Sequence, residues 1–297
     1  MNIIGNKFIF LGFSSALVIL SIFSIGYFGL KQGIDFVGGT MWQVRLNSEE
    51  AKNAADLSKD LKDKAGLEDA IVISEETSQS FIIRLKEITE PEHEKYAVVL
   101  KNIYPNLEEL SFESIGPAIG GELRSKAIWA FVFVIFGISL YIAFAFRKVS
   151  HPVSSWKYGI ITLITLFHDA IIPAGLFALL GYLYNAEVDT NFVVAILVVM
   201  GFSVHDTIVV FDRVRENIRL EKNFRMDFNA LVNRSVNETM ARSINTSFTL
   251  VIVLVALYLF GGASLKYFVL TMLVGTIFGT YSSIFVASPL LTMWRKK

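Results

Sequence analysis

The run VAILVVMGFSVHDTIVVFDRVREN, Val194–Asn217, decides how this chain is read. It belongs to an apolar stretch, Phe192 to Phe211, long enough to cross the hydrocarbon core of a bilayer, with one carboxylate, Asp206, about three quarters of the way along. A charge at that depth costs about 2.5–3.5 kcal/mol on insertion-based scales, so Asp206 reads as a proton or ion site. The alternative is structural: Asp206, Asp169 and nearby hydroxyls form an interhelical hydrogen-bond network that glues a bundle.

Outward from that span the whole chain reads as membrane-embedded. Of 297 residues, 53% are hydrophobic and 18% charged, mean hydropathy is +0.52, and an average soluble domain carries about 25% charged residues. Net charge is zero, so nothing global points to nucleic acid, and the absence of cysteine removes disulfides, thiol chemistry and Cys-based metal sites. Six candidate spans run Phe8–Phe28, Ala127–Phe146, Tyr158–Tyr182, Phe192–Phe211, Ile244–Phe260 and Tyr267–Met293. The first follows Lys7, is too long for a cleaved leader, and reads as a retained anchor.

Lys and Arg stay on the cytoplasmic side of short loops. Arg147, Lys148 and Lys157, the basic set from Arg213 to Arg242, and Arg295 to Lys297 then lie inside, while the two short outer loops hold only Lys266. Both termini are expected in the cytoplasm. The expected division is an anchor span at 1–30, an extracytoplasmic domain at 31–126, and a five-span domain at 127–297 with an amphipathic cytoplasmic loop at 212–243. Two short helices lying along the membrane are expected in that loop, from Asp212 to Ala241, as caps for the bundle or a lipid-reading surface.

The stretch 31–126 reads as βαββαβ, a ferredoxin-like α+β unit, so the fold class is a membrane α-helical bundle of six spans with such an extracytoplasmic domain. Thr40–Asn47 alternates as a strand; Ser48–Lys64 is a helix with Ser48 as N-cap and Gly66 closing it. Ala70–Glu76 and Ser80–Lys86 form a hairpin through Thr77-Ser78-Gln79, Pro91–Ile103 is a helix, and Leu107–Ile115 a last strand. His93 reads as a solvated surface histidine. Glycine-rich connections, Lys31–Thr40 with Gly33, Asp35, Gly38 and Gly39, and Gly116–Gly121, are either hinges or sites of tight packing against the bilayer surface.

Within or near the spans the polar residues are His168 and Asp169, His205 and Asp206, and Arg242, Asn245, Thr246, Ser247 and Thr249. A carboxylate beside an arginine that approaches and withdraws can take and release a proton, which makes Arg242 the expected partner of Asp206. His168, His205 and Thr246 are possible modulators; each histidine precedes its aspartate by one, and such neighbours are not expected to share a helix face. No metal, cofactor or catalytic residue is expected: a zinc site from the two His-Asp pairs is conceivable but disfavoured, and no HExxH or paired protease aspartates occur. Gly275, Gly279, Ser283 and Ala287 form a small-xxx-small ladder for close helix packing, within the chain or with a partner.

Five motifs in order, GIDFVGGT (Gly33–Thr40), HDA (His168–Ala170), GFSVHDTIVVFDRVREN (Gly201–Asn217), ARSINTS (Ala241–Ser247) and LYLFGG (Leu257–Gly262), make the whole chain similar to the SecF family, the smaller subunits of the SecDF export complex. The resemblance implies membership in the resistance–nodulation–division superfamily and residence in the bacterial cytoplasmic (inner) membrane. It also implies partnership with SecD and the SecYEG channel, and contact with unfolded preprotein and membrane lipid. The implied role is late protein export driven by the proton gradient, with Asp206, Arg242 and Asp169 at the family's proton-path positions. Departures are Phe202 where the family usually has Tyr, and His205 where many relatives carry Asn. Carboxylate chemistry permits sodium as well as protons. A half-size transporter of lipid or small molecules, and a purely structural subunit stabilising SecD, remain the other readings.

Overall fold

A computed structural model describes residues 1–46, 53–75, 80–146, 153–221, 227–262 and 265–294. The chain forms two compact units, one of Gln32–Ile128 and one of Met1–Lys31 with Trp129–Lys297.

In the smaller unit a one-turn helix α2 (Ile34–Val37) leads into β1 (Gly39–Arg45), followed by α3 (Ala54–Ala65), β2 (Ile71–Glu75), β3 (Ser80–Leu85), α4 (Glu90–Ile103) and β4 (Glu108–Ile115). The four strands form one antiparallel sheet in the order β2-β3-β1-β4, with Trp42 of central β1 opposite Ile83 and Phe112. Its core holds Trp42, Val44, Leu57, Leu61, Ile83 and Leu100, all fully buried. The described N-cap of α3 is Asn53, whose side chain accepts from Asp56 N–H at 2.9 Å; the expected cap Ser48 and the Thr77–Gln79 turn lie outside the described residues. Gly66, at φ +72°, ends α3 in the left-handed conformation that glycine adopts at least cost.

His93 corrects the expectation of a solvated residue. It is buried, stacks on Phe112 at 3.7 Å, and meets the Trp42 ring edge-on at 4.8 Å. Its position on the inner face of α4, over the sheet, outweighs the polar neighbours that suggested exposure. The glycine connections also differ from simple linkers. Gly38 (φ +78°) and Gly39 (φ +124°) turn the chain between α2 and β1, and a Cβ on Gly38 would lie 2.8 Å from the Pro117 backbone. The other connection is helical from Pro117 onward, ten residues before the span expected there, in α5 (Pro117–Ala145).

The larger unit comprises α1 (Lys7–Phe28), the rest of α5, α6 (Ser155–Tyr184), α7 (Thr190–Leu220), α8 (Phe228–Phe260), α9 (Lys266–Ser282), a π-helical turn (Ser283–Ala287) and α10 (Ser288–Met293). Among the described residues six helical segments are long and apolar enough to cross a membrane, the last being α9 with its continuation to Met293. The spans α6, α7 and α9–α10 bury half or more of their apolar windows, whereas α1, α5 and α8 bury less than a fifth and display residues such as Phe8, Phe133 and Phe248. That outward apolar surface suits lipid or other membrane helices.

Two close crossings set the positions of the central helices. A Cβ at Gly175 of α6 would lie 2.4 Å from Ser21 Cα of α1, and Ser24 donates to the Gly175 carbonyl at 2.7 Å. On α9, a Cβ at Gly275 would lie 2.4 Å from Val199 Cγ2 of α7, and one at Gly279 would lie 3.1 Å from Ser203 Cβ. The small-residue ladder is therefore a seam inside the chain, between α9 and α7.

The loop expected to carry two interfacial helices is organised differently: α7 runs on to Leu220 and α8 starts at Phe228. Charge pairing between the two extensions explains why they continue side by side. Glu238 accepts from Arg213 at 2.6 Å, Arg234 at 2.8 Å and Asn217 at 2.9 Å. Asn217 also donates to Ser235 at 2.9 Å.

Candidate functional site

Asp169 on α6 is fully buried and Asp206 on α7 is 6% exposed. Two different causes place them there. Asp169 precedes Pro173 by four, so the proline offers no N–H to its main-chain carbonyl and the helical ladder is interrupted beside the carboxylate. Asp206 shares one face of α7 with Val199 and Ser203, the face that the glycines of α9 allow to approach closely.

Serine hydroxyls surround both carboxylates. Asp169 Oδ2 accepts from Ser203 Oγ of α7 and from Ser282 Oγ of α9, the latter at 2.6 Å. Its Oδ1 lies 2.7 Å from His168 Nδ1. Asp206 Oδ1 accepts from Ser243 Oγ of α8 at 2.6 Å, and its Oδ2 from Ser283 Oγ at the start of the π turn. Consecutive residues of one segment, Ser282 and Ser283, thus reach the two aspartates. Beside them Ser247 and Thr280 share a hydroxyl hydrogen bond at the floor of an apolar groove between α8 and α9.

The π turn has a sequence cause. Pro289 cannot donate to a carbonyl of the preceding turn. Ser288 Oγ instead donates to the Ser283 carbonyl at 3.2 Å. Such wide turns inside helices occur often at functional sites.

The expected residues separate into two groups. Asp169, Asp206, His168 and Ser283 converge on this layer. Arg242, His205 and Thr246 are exposed on α7 and α8. Among the described residues no Lys or Arg pairs with either aspartate, so the expected Asp206–Arg242 contact is not made here; Ser243, the next residue, occupies that place. His168 also departs from expectation, since its ring bends onto the neighbouring carboxylate although the two side chains leave the helix in different directions. Its Nε2 is buried and meets no hydrogen-bond partner among the described residues. Ser203, Ser243 and Ser282 were not singled out by sequence; the available signal was that a hydroxyl in an apolar span has to find an acceptor.

The ordered set of carboxylates, serines and long apolar helices can be compared with known proteins. The family profile described as "Protein export membrane protein SecD/SecF, C-terminal" matches residues 95–297. A protein translocase subunit SecF from Thermobaculum terrenum is 44% identical over 308 residues, covering 100% of this chain and 95% of the relative. The chain belongs to the SecF family of protein translocase subunits. A second SecF, from Anaerolinea thermophila, is 35% identical across 99% of this chain and 94% of its own length. The crystal structure of SecDF from Thermus thermophilus, described as a translocon-associated membrane protein, superposes with a TM-score of 0.85 at 31% identity, covering 99% of this chain. A super-membrane-facing form of SecDF gives 0.68 at 32% identity. This chain spans 38% of the length of each of those SecDF chains. Like other members of the SecF family it is a multi-pass membrane protein.

Proposed function

We propose that this SecF-family chain works with SecD beside the SecYEG channel, using the proton gradient to drive late steps of preprotein export across the bacterial inner membrane. The observation that carries the reading is the pair of buried carboxylates, Asp169 and Asp206, held in neighbouring spans by serine hydroxyls, with His168 Nδ1 also on Asp169, and without a Lys or Arg partner among the described residues. A carboxylate so placed is costly as a charge. It gains from taking a proton and from releasing it when a cation arrives.

Arg242 supplies that cation in a second state. Adjacent helix positions are about 100° apart, so a rotation of α8 by one position exchanges Ser243 for Arg242 at Asp206. In the state described here Arg242 and His205 are exposed on adjacent spans, a surface suited to the SecD helices. His168 and Thr246 act as modulators in this reading. The smaller unit, taken as a ferredoxin-like domain outside the membrane at 31–126, touches the emerging unfolded chain. Gly33, Asp35, Gly38 and Gly39 form its pivot, and both termini of the chain lie in the cytoplasm.

One proton crossing the membrane delivers about 2.3 kcal/mol per 100 mV, whereas a typical domain needs about 5–15 kcal/mol to unfold. The motor therefore advances a loose chain in repeated small steps.

The test is export of a reporter preprotein by Asp206→Asn in membranes containing SecD, with and without a proton gradient, after normal insertion and co-purification are established. The expected result is loss of the gradient-dependent part alone. Full retention would assign Asp206 to a structural hydrogen-bond network.

A further inference from the structure

Ser282 and Ser283 each have two acceptors within reach. Ser282 Oγ lies 2.6 Å from Asp169 Oδ2 and 3.0 Å from the carbonyl of Gly279. Ser283 Oγ contacts Asp206 Oδ2 and lies 2.9 Å from the carbonyl of Thr280. A hydroxyl carries one proton, so its direction depends on which acceptor is stronger.

When an aspartate is ionised, the charge-assisted bond is roughly twice as strong as a neutral one and keeps the serine O–H pointing at the carboxylate. When the aspartate takes a proton, its own O–H donates to the serine Oγ, and the serine proton turns to the carbonyl three residues back. The serine keeps its proton throughout; only the direction of one hydrogen bond reverses. Both carbonyls, and the start of the π turn, belong to the same stretch from Gly279 to Ser283.

We propose that Ser282 and Ser283 couple Asp169 to Asp206, so that protonation of one aspartate, by turning its serine, repositions the other serine through the continuous backbone from Gly279 to Ser283. They are positioning residues, and the inference rests on the reading that these aspartates exchange protons. The other titratable groups at the layer are His168 beside Asp169 and Tyr281 of α9, whose ring lies over His168 at 6.4 Å; His205, next to Asp206 on α7, and Arg242, next to Ser243 on α8, are exposed. None of them bridges the two carboxylates, which is what the adjacent serines do.

The experiment is an infrared titration of the carboxylic C=O bands in the full chain, reconstituted in liposomes, with bands assigned through Asp169→Asn and Asp206→Asn. In the otherwise unchanged chain, D206N is expected to shift the midpoint of the Asp169 band. In the S282A/S283A background that shift should be lost, and S282T/S283T, which keeps both hydroxyls, should restore it. If the double alanine chain does not insert, the same cycle with S282A or S283A alone gives the same readout. A shift that persists undiminished without the hydroxyls, with both bands still titrating, overturns the coupling and leaves the proton reading standing. Bands that do not titrate at all overturn the proton reading, and the coupling with it.

Discussion

In the helical unit, Asp169 and Asp206 are enclosed by serine hydroxyls from α7, α8, α9 and the π turn. In the smaller unit the enclosed titratable group His93 is packed between Phe112 and Trp42 while its acidic neighbours Glu90 and Glu109 stay nearer the rim, at 69% and 31% side-chain exposure. The second arrangement is what a stable core requires: rings bury rings, and charge remains in contact with water. The first keeps carboxylates in a place where apolar residues of the same shape would cost less. A fold that only needed stability would use the second arrangement throughout, and this difference is what supports the proton chemistry proposed for the helical unit.

The largest structural effect is expected where the small core is broken. Trp42→Ala should lower the stability of that unit by about 3–5 kcal/mol, measured by hydrogen exchange in the full chain, because a fully buried indole leaves a cavity. An unchanged exchange rate in β1 and β3 would show that the sheet does not depend on this ring. Next comes Gly275→Val, which forces side-chain carbon into the space of Val199. Overpacking of this kind costs about 1–3 kcal/mol, and the α7–α9 seam carries both Ser203 and Ser283, so thermal stability and gradient-dependent export should fall together. Export that survives a clear loss of stability would detach the seam from the carboxylate layer.

His93→Leu sharpens the comparison from the other side. A near volume-conserving change should cost less than about 1.5 kcal/mol and leave the pH profile of export unaltered. A displaced profile would move His93 from the packing group to the chemical one.

The smallest effect concerns Asp60. The hydrogen bond from Tyr104, at 2.6 Å, followed by Lys64, holds its carboxyl below the usual range. The folded-state value is depressed, so this stabilisation is present above the unfolded value near 3.8 and is lost as pH falls through the folded value. Tyr104→Phe should therefore cost less than about 1 kcal/mol at neutral pH, and less again in strong acid, by hydrogen exchange. An equal cost at both pH values would assign the effect to packing of the ring.

Much of the fold is legible in the chain. Apolar length gives the six spans, because the bilayer fixes how many residues a helix needs. Strand alternation and Gly66 mark the small unit. Where the reading failed, distant partners had decided the outcome. His93 sits among polar neighbours in sequence, and only its position over β1 and β4 buries it. The charged stretch after Phe211 reads as surface helices until Glu238 meets Arg213 and Asn217 across α7 and α8. At the candidate site, Asp206 and Asp169 stand out because a carboxylate in an apolar run is rare, whereas Ser203, Ser243 and Ser282 do not, because a hydroxyl can bond to its own helix.

Two carboxylates in consecutive spans are legible from the chain alone, because apolar length marks each span and a charge within it is conspicuous for its cost. Helix packing is what places serines rather than Arg242 on each carboxylate. That choice depends on the rotation of α8 and on which helix meets the small-residue ladder of α9: the spacing of Gly275 and Gly279 marks a packing face, and the fold sets α7 against it.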